Sequence, residues 1–229
     1  MTSGECGDRS HPSPAVIFRQ RAGAQVSVFQ GERDFLMTTR AEASPWVVYT
    51  IGHSTRTSDS FVELLKAHGI TLVADVRTIP RSRHNPQFNL DTLPEVLKVA
   101  GIEYIHLSGL GGLRHARADS PNTGWRNSSF RGFADHMQTP EFSVNLDQLF
   151  DLAHHHTTVL MCAEAVPWRC HRSLIADALT VRGIVVRDIV SKTSCKTHSI
   201  TGWADVRGST ITYPPATTEK LETAENGRQ

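Results

Sequence analysis

The thirteen residues Leu160-Met-Cys-Ala-Glu-Ala-Val-Pro-Trp-Arg-Cys-His-Arg172 hold two thiols, a carboxylate, an imidazole and two guanidinium groups. Such a set can supply a nucleophile, a proton carrier and an anion clamp. Cys162 closes an apolar run that begins at Thr157, so its sulfur is expected at the carboxyl edge of a buried strand; a small core residue is the plain alternative. Cys170 differs. Pro167 is expected to open the next helix, with Arg169, Cys170 and His171 in its first turn. There the helix N-terminus and cationic neighbours favour a thiolate. Glu164 is a candidate general base, a ligand for a ribose or amine, or a surface carboxylate facing Arg169 or Arg172. Arg172 and the free backbone donors of that turn could bind an anion together.

Two familiar site types do not fit. In the cysteine phosphatase loop, nucleophile and arginine stand one residue closer than Cys162 and Arg169 do, and Arg172 follows Cys170 too soon. The spacing of Cys162 and Cys170 matches no common zinc motif, so no metal ligand is assigned. His154, His155 and His156 close the preceding helix, where polar or cationic residues suit its dipole.

Two other segments end in polar groups. Thr50-Ile-Gly-His-Ser54 brings His53 and Ser54 past a glycine turn. In Asp75-Val-Arg77, followed by Thr-Ile-Pro80-Arg-Ser-Arg83, Asp75 and Arg77 alternate with Val76 and share one strand face. They could serve a site or form a buried couple. Parallel strands present their carboxyl ends to one edge, so three such ends in one sheet would meet there.

The elements that would carry these groups are regular from Trp46 onward. Val47 to Ile51 is a β-branched strand ending at Gly52. Ser58 or Ser60 caps a helix, with Ser60 and Glu63 as a capping box, and Phe61, Leu64, Leu65 and His68 mark its face. Ile70 to Val76 follows as a strand. Leu93, Val96, Leu97 and Ala100 form a second helical face before the strand Ile102 to Leu107. Thr139 caps a helix with Pro140 in its first turn and Phe142, Leu146, Leu149, Phe150 and Ala153 inward. A helix through Leu174 and Leu179 precedes the strand Ile184 to Val190. Three helices end in the same words, Gly69-Ile70, Gly101-Ile102 and Gly183-Ile184, as short turns through a left-handed glycine require. The expected fold is α/β: a mostly parallel β-sheet with helices on both faces, a Rossmann-like three-layer single domain. Ser108 to Gln138 is a long, glycine- and arginine-bearing insertion, expected to be a functional loop. Residues 1–45 read as a disordered or loosely docked arm, with Met37 as an alternative start. Residues 46–207 read as the domain and 208–229 as a polar tail.

Composition narrows the setting. Lysine plus arginine is 24 against 23 aspartate plus glutamate, a net charge of +1, so the whole chain does not steer toward nucleic acid. Four cysteines, unevenly placed, are no secreted disulfide framework. No apolar run is long enough to span a membrane, and the polar start lacks the centre of a signal peptide. A reduced cytoplasm is the expected location.

The segments Thr50-Ile-Gly-His-Ser54, Asp75-Val-Arg77 with Pro80-Arg-Ser-Arg83 and Phe88-Asn89, Leu110-Gly-Gly-Leu-Arg114, and Cys162-Ala-Glu164 with Cys170-His-Arg172 together resemble the bacterial domain-of-unknown-function family 488. The likeness runs in order from about Val47 to Val190. It implies a compact α/β domain with a site built from these segments, and no settled reaction. Ala165-Val-Pro-Trp-Arg169 is more apolar than the charged segment usual in that family.

The leading reading is a thiol-containing enzyme, reaction class open. It binds an anionic small molecule or nucleotide-like group at the carboxyl edge of the sheet. Cys162 or Cys170 is its reactive thiol, and Glu164 and His53 transfer protons. Ser54, Asp75, Arg77, Arg83, Arg114, His171 and Arg172 bind the ligand. No cofactor is assigned. A second reading is a nucleic-acid-binding or regulatory module. There Arg77, Arg81, Arg83, Arg114, Arg117, Arg126 and Arg131 make a basic patch, and Phe88, Trp125 and Phe130 offer stacking faces. A third is a metal-binding protein, with iron or zinc on its histidines and cysteines.

Overall fold

A computed structural model describes residues 46–215; the expected arm, Met37 and residues 216–229 lie outside the described residues. Five parallel strands form the sheet: β1 (Val47–Gly52), β2 (Leu72–Asp75), β3 (Glu103–His106), β4 (Thr158–Cys162) and β5 (Val185–Ser191). A sixth, β6 (Ser194–Thr197), turns back antiparallel on β5. Their order is β3-β2-β4-β1-β5-β6. The helices are α1 (Ser58–Ala67), α2 (Leu93–Val99), α3 (Ser128–His136), α4 (Pro140–His155) and α5 (Arg172–Val181). A separate hairpin, β7 (Asp205–Arg207) and β8 (Thr210–Thr212), follows.

The two-residue period of β4 divides the core. Val159 and Met161 join Phe61, Leu65, Leu93 and Leu97 of α1 and α2. Leu160 and Cys162 join Phe133, Phe142, Leu149, Leu174 and Leu179 of α3, α4 and α5. A strand buried on both faces is apolar nearly throughout, and all five β4 residues are buried, with the Thr158 hydroxyl satisfied by the His156 carbonyl. The result is the three-layer α/β fold that the alternation of strands and helices demands. The helix-to-strand turns close as the sequence predicts: Gly69, Gly101 and Gly183 have φ of 65°, 76° and 82°.

Strand order sets the site. The chain leaves β1 through α1 toward β2, and leaves β4 through α5 toward β5, so adjacent strands send their crossovers in opposite directions and to opposite faces. A crevice opens at the carboxyl ends of such a pair.

Four expectations are corrected. The α1 cap is Thr57, whose hydroxyl accepts from the Ser60 amide at 3.2 Å; no capping box starts at Ser60. The segment from Ser108 to Gln138 is not all loop. It contains α3, capped by the Asn127 side chain, which accepts the Ser129 amide at 2.8 Å. Pro167 opens only a short 3-10 turn, Pro167–Arg169. Cys170 is extended (φ −130°, ψ 143°) and α5 begins at Arg172. The polar tail does not begin at 208, because β8 and Tyr213 belong to the packed domain. Asp177 of α5, fully buried, is the physical reason. It accepts the Tyr213 hydroxyl at 2.8 Å, His198 Nε2 at 2.7 Å and the Thr201 amide at 3.0 Å. A buried carboxylate needs such donors, and they come from the C-terminal segment.

Two outcomes follow. Tyr213→Phe leaves Asp177 buried with one donor fewer and should lower unfolding free energy by about 1–3 kcal/mol in urea melts. His136 is buried, its Nε2–H donating to the Gly109 carbonyl at 2.7 Å, and burial lowers its pKa below the ordinary 6.5. The unfolded chain therefore binds the extra proton as pH falls through 6.5, while the folded chain resists it. Stability should be full above that value and decline below it. Urea midpoints at about pH 8 and about pH 5 should differ less in His136→Gln than in the unsubstituted chain.

Candidate functional site

The ladder continues past the strand ends and draws the sequence-distant segments together. His53 N–H donates to the Cys162 carbonyl at 2.9 Å and Ser54 N–H to Ala163 at 3.0 Å. Val76 N–H donates to Met161 at 3.0 Å. Gly52 lies level with Cys162 in the β1–β4 register. A Cβ there would come within 1.9 Å of the Glu164 carbonyl oxygen, so only glycine lets the loop after β4 cross β1 this closely. Arg172, 1% exposed, fastens that loop: Nη1 donates to the Glu164 carbonyl at 2.7 Å, Nη2 to Ala165 at 3.1 Å and Nε to Thr50 Oγ1 at 3.1 Å.

Over these ends lies a hollow of about 410 Å³. Cys162, Cys170 and His171 line it, and their two sulfurs and one imidazole nitrogen all lie within 4.8 Å of one another. His171 Nε2–H donates to the Val76 carbonyl at 2.9 Å, which turns Nδ1 toward the Cys170 sulfur at 3.6 Å. The thiols are free and inequivalent. Cys170 donates to Cys162, and that bond, helped by His171 and the Glu164 backbone, holds the Cys162 thiol well below its ordinary range despite burial. The same bond and burial push Cys170 up. Cys170 stands before α5, in extended backbone, rather than in the first turn of a helix opened by Pro167.

One wall is a buried polar stack. Asp75 accepts Arg77 Nε at 2.9 Å and the Tyr104 hydroxyl at 2.8 Å. Arg77 Nη2 donates to the Phe88 carbonyl at 2.7 Å and Nη1 to His53 Nε2 at 3.3 Å. His53 Nδ1–H donates to the Ser54 carbonyl at 2.8 Å, and its ring stacks on Phe88 at 4.2 Å. Burial lowers the His53 pKa, and Arg77 adds to the effect. Both His53 nitrogens are engaged, Nδ1 with the Ser54 carbonyl and Nε2 with Arg77.

Of the expected ligand-binding residues, Arg77 and His171 line the hollow with both cysteines, His53 and Glu164. Ser54, Asp75, Arg83, Arg114 and Arg172 do not. Asp75 is consumed by Arg77. Arg114 donates to the Gly109 and Gly111 carbonyls and to Glu141. Ser54 holds the turn at φ 52°. Sequence reasoning did not assign Thr78, Ser82, Asn127 or Ser129 to the lining, nor Arg81 and Arg169 to the rim. Arg81 and Arg169 are exposed, without side-chain partners among the described residues. Asn127 and Ser129 were hidden inside a supposed loop; their signal was the Asn-Ser-Ser cap at the start of α3.

The basic-patch surface does not assemble as expected. Phe88 is fully buried, Arg77 is paired, and Trp125 and Phe130 face each other at 4.7 Å beside Tyr213. A second hollow of about 740 Å³ lies beside Trp125, Trp168 and Trp203 and shares no lining residue with the first. No helix among the described residues is long and apolar enough to cross a membrane.

Fold and site together define an α/β protein with a thiol-lined hollow at the switch point of its parallel sheet. The family described as Domain of unknown function DUF488 matches residues 57–179, more than half of the chain, and the chain belongs to that family. No curated protein and no solved structure matches it.

The close crossing at Gly52 has a measurable consequence. Gly52→Ala should cost about 1–3 kcal/mol in urea melts, because backbone must shift to admit the methyl group. Gly202→Ala, with nothing within 4 Å of the added carbon, should leave stability nearly unchanged.

Proposed function

We propose that this protein is an enzyme that binds an anionic small molecule, of nucleotide-like or phosphate-bearing type, in the carboxyl-edge hollow and acts on it through the Cys162 sulfur. One observation carries the reading: two thiols and an imidazole converge on the floor of a hollow whose rim holds two arginines unpaired among the described residues. Cys162 is the nucleophile. Cys170 donates to it and orients it, and the His171 ring, held by the Val76 carbonyl, packs beside the pair. Arg81 and Arg169 receive the ligand's negative charge, with the one Nη1 N–H that Arg77 has left. Glu164, exposed at the rim, is the group free to move a proton, since among the described residues its side chain accepts only the Val166 amide at 3.2 Å. A reduced cytoplasm suits this chemistry, because both sulfurs must stay as thiols.

The test is alkylation. In metal-free protein, iodoacetamide should modify Cys162 about tenfold faster than Cys195, whose thiol burial pushes up. Inorganic pyrophosphate should slow the reaction, and Arg81→Ala with Arg169→Ala should weaken that protection. If Cys162 reacts no faster than Cys195 or a free thiol, the nucleophile reading fails.

A further inference from the structure

We infer that Cys162, Cys170 and His171 form a binding site for one zinc-class divalent cation, with a fourth coordination position open to the hollow. This goes beyond the thiol reading, since an ion held here would turn the nucleophile into a ligand.

The geometry is that of a three-ligand site. Zinc takes sulfur at about 2.3 Å and imidazole nitrogen at about 2.0–2.1 Å, so tetrahedral ligand atoms stand about 3.5–3.8 Å apart. Cys170 Sγ and His171 Nδ1 are 3.6 Å apart, and all three donor atoms fall within 4.8 Å. The imidazole is already in the tautomer a metal requires. Nε2–H is tied to the Val76 carbonyl at 2.9 Å, which leaves the Nδ1 lone pair facing the sulfurs. A backbone carbonyl in this position is the usual outer partner of a ligating histidine.

Charge and softness choose the ion. Two thiolates neutralise a divalent cation; Asp75 is committed to Arg77 and Tyr104, and Glu164 is exposed at the rim with its side chain on the Val166 amide. The donor set therefore offers sulfur and nitrogen but no hard oxygen, which favours zinc over magnesium or calcium. Three protein ligands leave one position vacant, and the hollow lies on that side, with Arg81 and Arg169 at its rim. Water or an anionic group would complete the tetrahedron, as at zinc centres that act on substrates.

The spacing of the cysteines hid the site in the sequence. Cys162 ends β4, Cys170 follows the 3-10 turn Pro167–Arg169, and the loop between them is folded back by Arg172. A turn, rather than a short zinc knuckle, brings the sulfurs together.

The experiment uses the full chain, reduced and stripped of metal. Zinc alone, followed by calorimetry, should bind at one ion per chain with sub-micromolar affinity, and magnesium should not bind. Cobalt should give thiolate charge-transfer and tetrahedral d–d bands. Cys162→Ser with Cys170→Ser should lower zinc affinity at least 100-fold, and His171→Gln about 10–100-fold, while Cys195→Ser retains it. An octahedral cobalt spectrum without charge transfer in the unsubstituted chain overturns the site, whether or not the variants fold. So does zinc binding that survives loss of both cysteines. Fast alkylation of Cys162 in protein that takes up no zinc overturns the ion site and leaves the thiol reading standing. Zinc uptake with slow alkylation does the reverse.

Discussion

The buried guanidinium of Arg172 is the constraint on which the site depends. It joins β1, the loop after β4 and the start of α5, through Thr50 and the carbonyls of Glu164 and Ala165. Thr50 in turn donates to Asp188 of β5 at 2.5 Å, so a carboxylate lies one hydroxyl away from the cation. A charge this deep is tolerated only when hydrogen bonds replace the lost water. Removing the cation would strand two carbonyls and a hydroxyl, a loss of about 3–5 kcal/mol for a buried, charge-assisted cluster. The loop it fastens carries the backbone between the two cysteines. Their convergence is therefore a result of Arg172, although the arginine does not line the hollow.

A second buried cation does similar work on the opposite wall. Arg77 is held by Asp75 and in turn holds the Phe88 carbonyl and His53 Nε2. Phe88 then supports the His53 ring from below. Two arginines are thus committed to structure, Arg172 behind the hollow and Arg77 in its wall, while Arg81 and Arg169 stand at the rim. The structural pair make many bonds and can move little. The rim pair make none among the described residues and can follow a ligand.

That division explains what was legible in the sequence and what was not. The strands, the three Gly-Ile turns, the Thr139 cap and the position of Cys162 at the end of β4 depend on local periodicity and local stereochemistry, which neighbouring residues encode. The same holds for the joint edge of His53, Arg77 and Cys162, because parallel strands must align their ends. The roles of the arginines are not local. Arg114 looks like a clamp in Leu110-Gly-Gly-Leu-Arg114, yet its partners are carbonyls on its own turn and Glu141 of α4. Arg172 looks like an anion donor at a helix start, yet it points inward. Residue type gives the charge, and only the fold tells which cations are already satisfied. Strands β6 to β8 escaped notice because they are short and polar; β6 is held by its ladder to β5, β7 and β8 pair with each other, and Thr201 and Tyr213 beside them are held by Asp177 and Asn122.

Charge placement finally distinguishes this hollow from a carboxylate-driven active site. On the floor the groups able to bear negative charge are sulfurs, because Asp75 is neutralised within the wall and Glu164 is exposed at the rim. Sulfur is soft and polarisable, and it loses less than a carboxylate on leaving water. Thiols beneath two rim arginines suit the anionic ligand proposed above, or a cation that the sulfurs can share. Hard-ion chemistry and direct carboxylate nucleophiles have no oxygen at the floor to work with. The topological switch between β1 and β4 creates the space; the two buried arginines and the choice of sulfur over oxygen give that space its character.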